Sequence, residues 1–415
     1  MPTKTPTLYQ PLYVENFSCL GSDCPDTCCS GWHISVEKAN YKKIKALPDS
    51  PNMQAIKTAF KLTPNGSSTN FAQLATDESG CVLQTDERLC SIQTQLGASY
   101  LPHTCREYPR VKVKISQRVE RYLTLSCPEA ARLCLTDQRP WSMATIKSDK
   151  PPGKQAILSG LLSDSAARLG NYSGSTLLAT HALIRHFAMD MVVGVQGALW
   201  QRMLLLGFLC QKLDALFQAE AKANVLAQVE YLILQSRLAY ADGSFEQMSS
   251  ALVDTSGLTS LRARFVFSLT QERLNEGGGN NQKFINRVVQ AFGGHQAVVD
   301  GKHNYHFFDA YEKTRPHLLR NYMANLLGTN IFPNFDNTPL TQQWRGAMLK
   351  VAMVRSYLMG IAEVKGAAFS DVDCIDTVYS FSKAVEHHRT FLPRVESRLS
   401  AAGFSDMAPM AIMLS

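Results

Sequence analysis

Eight of the chain's 11 cysteines fall among its first 127 residues: Cys19, Cys24, Cys28, Cys29, Cys81, Cys90, Cys105 and Cys127. Cys134 follows closely, and only Cys210 and Cys374 lie in the remainder. Thiols at this density are present for their chemistry rather than for packing. They can pair as disulfides, bind a metal or hold an iron–sulfur cluster. The opening MPTKTPTLYQPLYVENFSC has no apolar h-region and no small-residue cleavage site, which predicts a reducing, cytoplasmic compartment. Structural disulfides are rare there, so metal or cluster ligation is the favoured use of the thiols and disulfides are the alternative.

The first group is spaced Cys19-x4-Cys24-x3-Cys28-Cys29. Short spacings let one loop present several thiolates to one centre. Zinc takes such pairs in tetrahedral sites, and iron–sulfur clusters complete a close set with a distant thiolate. Neighbours such as Cys28 and Cys29 project in different directions, which suits a larger cluster or two centres better than one zinc ion. The remaining thiols are too spread to make a second pair of zinc knuckles. The reading is therefore one iron–sulfur cluster, of the four-iron type, with supporting or second-centre cysteines; structural zinc is the rival. Cys134, Cys210 and Cys374 sit in helical patterns and are expected to be buried apolar residues.

Other chemistry-bearing residues are fewer. His33 in GWH and His103 in LPHTC lie near the thiols, as ligands, second-sphere donors or ordinary packed histidines. Arg106 and Arg110 follow Cys105 closely and are the candidate cofactor-binding residues. They could neutralise an anionic cluster or bind a carboxylate, or form a plain surface charge pair. Glu386-His387-His388 has the look of an acid–base or metal motif, but adjacent helical histidines diverge, which predicts a solvated face. No Ser-His-Asp order, HExxH or P-loop is visible. No catalytic residue is assigned.

The elements that must position these groups follow from local pattern. CVLQTDERLC reads as a hairpin with Cys81 and Cys90 on its ends. SIQTQLG reads as a short helix with Ser91 as cap and Gly97 as stop. VKVKISQRVERYLTL alternates as a β-hairpin turning near 116–117. Pro128 and Glu129 open a helix with Cys127 at its N-cap. The polar stretch from about Pro48 to Ser79 reads as a surface helix plus loop. Residues 140–155 read as a Pro-rich linker, dividing a Cys-rich module (1–140) from a helical domain (141–415).

In the helical part, Leu199, Met203, Leu206, Cys210, Leu213 and Phe217 mark one apolar stripe. Met189 to Cys210 is greasy but interrupted by polar residues, so a buried core helix is expected rather than a membrane span. Pro316 opens a helix that Gly328 closes, and Trp344 to Ile361 and Ser382 to Leu399 read as further helices. NEGGGNN reads as a loop without a nucleotide role.

Hydrophobic residues make up 45% of the chain and charged residues 19%, as in globular proteins, and the net charge is +7. That balance allows an acidic partner without demanding nucleic acid. The fold class is α+β and predominantly helical: a small Cys-rich module with short β-hairpins packed on a larger helical domain.

FSCLGSDCPDTCCSGWHI, CVLQTDERLCSIQTQLG, LPHTCREYPR and LTLSCPEAARL follow one another in the order seen in flagellin lysine-N-methylases. The chain resembles that family over about residues 10 to 140, and LLRNYMANLLGTNIFP extends the likeness. The N-terminal part is also similar to a wider zinc- or iron-chelating Cys-rich family. The resemblance implies transfer of methyl groups from S-adenosylmethionine to flagellin lysines in the cytoplasm, with an iron–sulfur cluster on the Cys-rich motif. The Cys-x3-Cys-x2-Cys triplet of radical enzymes is not matched, and neither is the Gly-rich turn of the usual methyltransferase sheet. Flagellin is the expected partner, nucleic acid is not, and the helical domain is the expected docking surface. Peripheral membrane association or self-association stays open. The rival functions are a non-enzymatic metal- or cluster-binding protein and a zinc-stapled helical interaction module.

Overall fold

The computed structural model describes residues 7–30, 33–78, 80–115, 118–146, 157–158, 174–194, 196–219, 224–252, 266, 268–270, 272–273, 306–336, 338–387, 390–401 and 407–415. The N-terminal part is built from short pieces. Its strands are β1 (Thr7–Pro11), β2 (Ser35–Val36), β3 (Phe60–Leu62), β4 (Ala72–Leu74), β5 (Thr76–Asp77), β6 (Gly80–Cys81), β7 (Arg110–Ile115), β8 (Arg118–Leu123), β9 (Met143–Ile146) and β10 (Ile157–Leu158). Its helices are α1 (Lys38–Lys45), α2 (Pro51–Thr58), α3 (Ser91–Leu96), α4 (His103–Glu107) and α5 (Pro128–Thr136). The C-terminal part contains α6 (Gly174–Val193), α7 (Leu199–Gln218), α8 (Val225–Ala241), α9 (Ser244–Leu252), α10 (His306–Thr314), α11 (His317–Thr329), α12 (Leu340–Lys365), α13 (Asp371–Phe381), α14 (Phe391–Ala401) and α15 (Met407–Leu414). This is the helix-dominated α+β architecture expected from the sequence.

Among the described residues, three sheets organise the thiol-bearing part. The β7–β8 hairpin forms as the alternation predicts, with Val113 opposite Glu120. It becomes the middle of a five-stranded sheet in the order β10-β7-β8-β1-β9. The parallel β1–β8 pairing joins strands far apart in sequence. Met143–Ile146, expected within a linker, instead pairs antiparallel with β1 as an edge strand. Residues 147–155 of that expected linker lie outside the described residues, as does NEGGGNN.

The stretch from Pro48 to Ser79 is more than a surface helix and loop. Ser50 accepts a hydrogen bond from the Met53 amide, and Pro51 occupies the first turn of α2. Phe60, Ala72 and Leu74 then turn inward from β3 and β4, which with β2 make a second sheet. Together with Ile34, Val36, Ile44, Ile56 and Ile92 they form a separate apolar cluster. Strands of three residues, split by the polar loop LTPNGSSTN, show too little alternation to be read from sequence.

The helical part buries a larger core, which also takes in Tyr13, Leu123, Leu125, Cys127, Ala130 and Cys134 from the N-terminal part. Helix α11 is the seam. Asn325 Nδ2 donates to the Leu123 carbonyl at 3.0 Å, and Tyr13 donates its hydroxyl hydrogen to Asn325 Oδ1. One turn earlier, Asn321 Nδ2 donates to the carbonyls of Cys134 and Asp137 at 2.9 and 2.7 Å. Placed four apart, both amides face the same way and satisfy backbone acceptors that burial would otherwise strand. At Gly328 an added Cβ would lie 2.3 Å from the Tyr122 ring, so glycine there lets the sheet sit directly on the helix.

The seam also carries charge. Glu120 is buried and accepts from Arg185 of α6, from Arg118 at 2.6 Å and from the Tyr122 hydroxyl at 2.7 Å. The Met189 to Cys210 stretch is not one helix. It breaks between α6 and α7, where buried Arg202 donates to the carbonyls of Met191, Gln196 and Gly197 at 2.8, 3.0 and 2.6 Å. Gly197 there takes a φ of +66°, a conformation suited to glycine. The expected α7 stripe does form the buried face, from Met203 to Phe217, with Leu199 half-buried. No helix among the described residues is long and apolar enough to cross a membrane.

The helix expected over Ser382–Leu399 divides too. After α13 the chain makes a π-helical turn at Ser382–Glu386, then breaks before α14.

Candidate functional site

The thiols are placed by helix starts, one hairpin and one loop. Cys127 is the N-cap of α5, as expected. Cys90, not Ser91, is the N-cap of α3, with Ser91 as its first residue and Gly97 as its stop. Cys105 lies in α4. The CVLQTDERLC hairpin is narrower than expected: Gln84 bridges Cys90, while Cys81 pairs with Thr76 in β5. The Cys28–Cys29 loop is stitched to β6 by the Cys81 amide, which donates to the Cys29 carbonyl at 2.8 Å. Gly80 makes that approach practicable. Its φ is +129°, and a Cβ there would stand 2.7 Å from the Cys29 carbonyl oxygen.

These placements sort the eight thiols into two neighbouring groups. Cys29, Cys81, Cys90 and Cys105 all pack on the smaller apolar cluster. Burial first, then the charges of Cys90, Cys29 and Cys81, push the Cys105 thiol well up. Burial pushes Cys81 up to about 11, with Cys29 and Cys90 adding to the effect. Burial and Cys29 likewise raise Cys90, against the pull of the Gln93 and Ile92 amides. The second group gathers Cys19, Cys24 and Cys127. Burial pushes Cys127 up to about 11, opposed by the amides of Ala130 and Glu129 and reinforced by Cys24 and Cys19. Cys24 is raised by burial and by Cys19. Cys28 stands between the groups. Its hydrogen bond with Cys29 holds its proton, and it feels the charges of Cys105 and Cys19. That same hydrogen bond pulls Cys29 below the usual thiol range, helped by Thr27 and by the charge of Lys383.

Mutual repulsion among partly buried thiolates is what a bound cation relieves. In donor chemistry the two groups therefore fit a thiolate-bound metal or an iron–sulfur cluster. Among the described residues, no three His, Cys, Asp or Glu side chains already stand close enough to grip a metal ion. Cys134, Cys210 and Cys374 are buried in the larger apolar core, as expected.

The structure adds a set of partners from the helical part. Lys383, on the π-helical turn, reaches into the first thiol loop. Its ammonium donates to Asp26 Oδ2 at 2.8 Å, the Thr27 carbonyl at 2.9 Å and Ser30 Oγ at 3.4 Å. His387 Nε2 lies 2.8 Å from Ser126 Oγ, beside Cys127. Ser126 in turn contacts the Tyr108 hydroxyl at 3.1 Å. Tyr108 is raised by burial and by the charges of Cys127 and Cys28, so this polar chain borders the thiols. The Tyr322 hydroxyl donates to Glu386 at 3.0 Å. Glu386 and His387 are therefore not simply a solvated face: each makes a tertiary contact, although His387 is exposed. His388 lies outside the described residues. A π-turn inside a helix commonly marks a functional position because it re-aims side chains. Sequence reading missed Lys383, Asp26, Ser126 and Tyr108; a π-turn leaves no periodic signal.

The remaining candidates make contacts of other kinds. Arg106 is 3.7 Å from Glu107, and Arg110 lies over the Phe17 ring at 5.0 Å. The His103 amide donates to the Glu37 carboxylate at 3.2 Å, and His33 is exposed.

A model of the FliB lysine N-methylase C-terminal domain matches residues 185–413, more than half of the chain. The chain belongs to the FliB lysine N-methylase family. It is 34% identical to the flagellar biosynthetic protein FliU of Salmonella muenchen over 143 residues, 34% of this chain and 85% of that one. It is 33% identical over 193 residues to the lysine-N-methylase of Salmonella choleraesuis (strain SC-B67), 43% of this chain. The match to the Salmonella typhimurium lysine-N-methylase has the same identity and extent. The chain spans 46% of the length of those two lysine-N-methylases. No solved structure matches. Lys383, Glu386 and His387 fall inside the family's C-terminal domain and Cys127 before it, so the polar junction joins the family domain to the thiols.

Proposed function

We propose that this chain methylates lysine ε-amines of flagellin, with S-adenosylmethionine as donor and an iron–sulfur cluster on the N-terminal thiols. The single observation that carries the reading is the family match over residues 185–413. The flagellar name of the Salmonella muenchen relative favours a flagellar substrate. In methyl transfer the amine lone pair forms the new N–C bond as the C–S bond of the sulfonium breaks. The sulfur keeps the bonding pair as a neutral thioether, and the proton leaves the alkylated nitrogen. The amine attacks only when neutral, so the site must desolvate it or accept its proton.

The thiols that would hold the cluster are Cys29, Cys81, Cys90 and Cys105, or Cys19, Cys24 and Cys127 joined by Cys28 from between the groups. A bound cluster supplies an anionic, redox-capable centre. The chain's own residues hold that region against the helical part through Lys383 and His387. Fourfold thiol groups also suit zinc, whose ligation is tetrahedral. The test is an anaerobic incubation of purified protein with labelled donor and flagellin. Label transfer to flagellin is expected. No transfer from metal-replete protein would return the chain to a non-enzymatic metal-binding role.

A further inference from the structure

Helix α1, KANYKKIK, carries four lysines in eight residues and no acidic residue. Lys38, Lys42, Lys43 and Lys45 are all exposed. Lys38, Lys42 and Lys45 are spaced i, i+4 and i+7, so they line one stripe of the helix, with Lys43 beside it. Like charges at that spacing repel, and Lys38 in the first turn opposes the helix dipole. The helix therefore carries its charge at a cost to its own stability. Among the described residues none of the four stands in an ion pair, whereas Lys57 of α2 lies 2.6 Å from Asp49. Lys43 instead donates to the Ser99 carbonyl at 3.0 Å and lies 3.8 Å over the Tyr100 ring. Lys45 donates to the Lys57 carbonyl at 2.9 Å, and Lys38 lies 5.3 Å over the Phe71 ring.

The stripe is mounted firmly beside the thiols. On the inner side of α1, Ile44 is fully buried and Tyr41 packs edge-on against Phe71 at 5.3 Å. Asn40 Nδ2 donates to the carbonyls of Tyr100 and Leu101 at 2.9 and 3.1 Å. Glu37, the residue before the helix, accepts from the His103 amide at the start of α4, the helix that carries Cys105.

We propose that this lysine stripe docks an acidic segment of the protein substrate; the proposal rests on the methyl-transfer reading above. The stripe lysines rise about 6.0 and 4.5 Å from one to the next along the axis. In an extended chain, side chains on one face recur about every 6.7 Å. Carboxylates at alternate positions of such a segment therefore meet successive lysines, whose flexible stems absorb the difference. Point charges on flexible stems accept a run of carboxylates without fixing its sequence. Single-stranded nucleic acid needs open aromatic faces for stacking, and Tyr100 and Phe71 already carry a lysine each. A membrane-surface helix turns its apolar side outward to the lipid, and α1 turns Ile44 and Tyr41 inward. Attraction at this face speeds encounter and brings the substrate chain to the thiol-bearing part.

The test is the association rate of the full chain with flagellin and with poly-L-glutamate, followed across salt concentration. In Lys38→Glu/Lys42→Glu, association with both is expected to slow by about 10-fold at low salt and to approach the parent at high salt. Lys61→Glu/Lys212→Glu changes the net charge equally at two other exposed lysines and is expected to stay within about twofold of the parent. In turnover the reversed stripe should raise KM for flagellin and keep kcat. Glutamate at position 38 suits a helix start, so the melting temperature should hold. If that variant does not fold, Lys42→Ala decides: association slowed by about threefold at low salt supports the stripe, and an unchanged rate overturns it. Unchanged association in the reversed chain, an equal loss in the control variant, or no binding to the parent overturns the proposal. So does loss of binding only to a single-stranded oligonucleotide or to phosphatidylserine vesicles. Methyl transfer to flagellin at the parental kcat/KM by the reversed chain would sink the docking surface and spare the function. Flagellin binding that depends on these lysines, without methyl transfer, would sink the function and spare the surface.

Discussion

Replacing Lys383 with methionine should loosen the first thiol loop from the helical part without unfolding either. The Lys383 side chain is 14% exposed and Asp26 is 28% exposed, at a separation of 2.8 Å. A hydrogen bond between charged groups contributes about 1.5–3 kcal/mol, and residual solvent around Asp26 trims that figure. The bond to the Thr27 carbonyl at 2.9 Å acts in the same direction. Together they give about 2 kcal/mol for holding the loop, or roughly a 30-fold change in its opening equilibrium. Methionine keeps much of the stem's apolar volume, so packing changes little. Hydrogen exchange read by mass spectrometry should show residues 24–30 opening about 30-fold faster while α7 and α12 keep their protection. A double-mutant cycle with Asp26→Asn should return a coupling of about 1–2 kcal/mol. Unchanged exchange at 24–30 together with a coupling near zero would refute the junction.

Arg185→Met should cost about 3–5 kcal/mol in chemical denaturation, because it leaves Glu120, 3% exposed, without its main buried partner. Acidification should weaken the fold through His181, which burial and the Arg185 charge lower from 6.5 to about 4, against the opposing pull of Glu120. The fold holds that ring neutral, so its contribution is complete above about pH 6.5 and fades as pH falls towards 4. That amounts to about 3 kcal/mol. His181→Leu should flatten the dependence over that interval, and an unchanged slope would assign it elsewhere. In anaerobically purified protein, Cys24→Ser and Cys105→Ser should each lower metal content and visible absorbance, whereas Cys210→Ser and Cys374→Ser should not. If only one of the first two matters, one thiol group is the centre and the other supports it.

The helical dominance, the β7–β8 hairpin, the Cys127 cap and the burial of Cys134, Cys210 and Cys374 were legible because each has a local signature: alternation, Pro128 at a helix start, or a thiol inside an apolar stripe. The chemical character of the N-terminal part was legible from thiol density alone. Its assembly was not. The parallel β1–β8 pairing joins residues more than one hundred positions apart, for which a single sequence carries no local signal. The break between α6 and α7 was not legible because the polar interruptions of Met189–Cys210 are scattered among apolar residues and read as one buried helix. Lys383 could not be singled out from sequence, since its partner Asp26 lies 357 residues away. Asn321 and Asn325 carry no sequence signal of their role as the hydrogen-bonding face of the seam, because their backbone acceptors lie more than 180 residues away.

The reading proposed above for this FliB-family chain is methylation of flagellin lysines. Position-resolved peptide mass spectrometry of flagellin, after reaction with isotopically labelled S-adenosylmethionine and anaerobically prepared protein, tests it most directly. The account predicts labelled methyl groups on lysine side chains, lost when the donor is omitted. Flagellin recovered without label on any lysine, from protein that retains its metal and its fold, would contradict it.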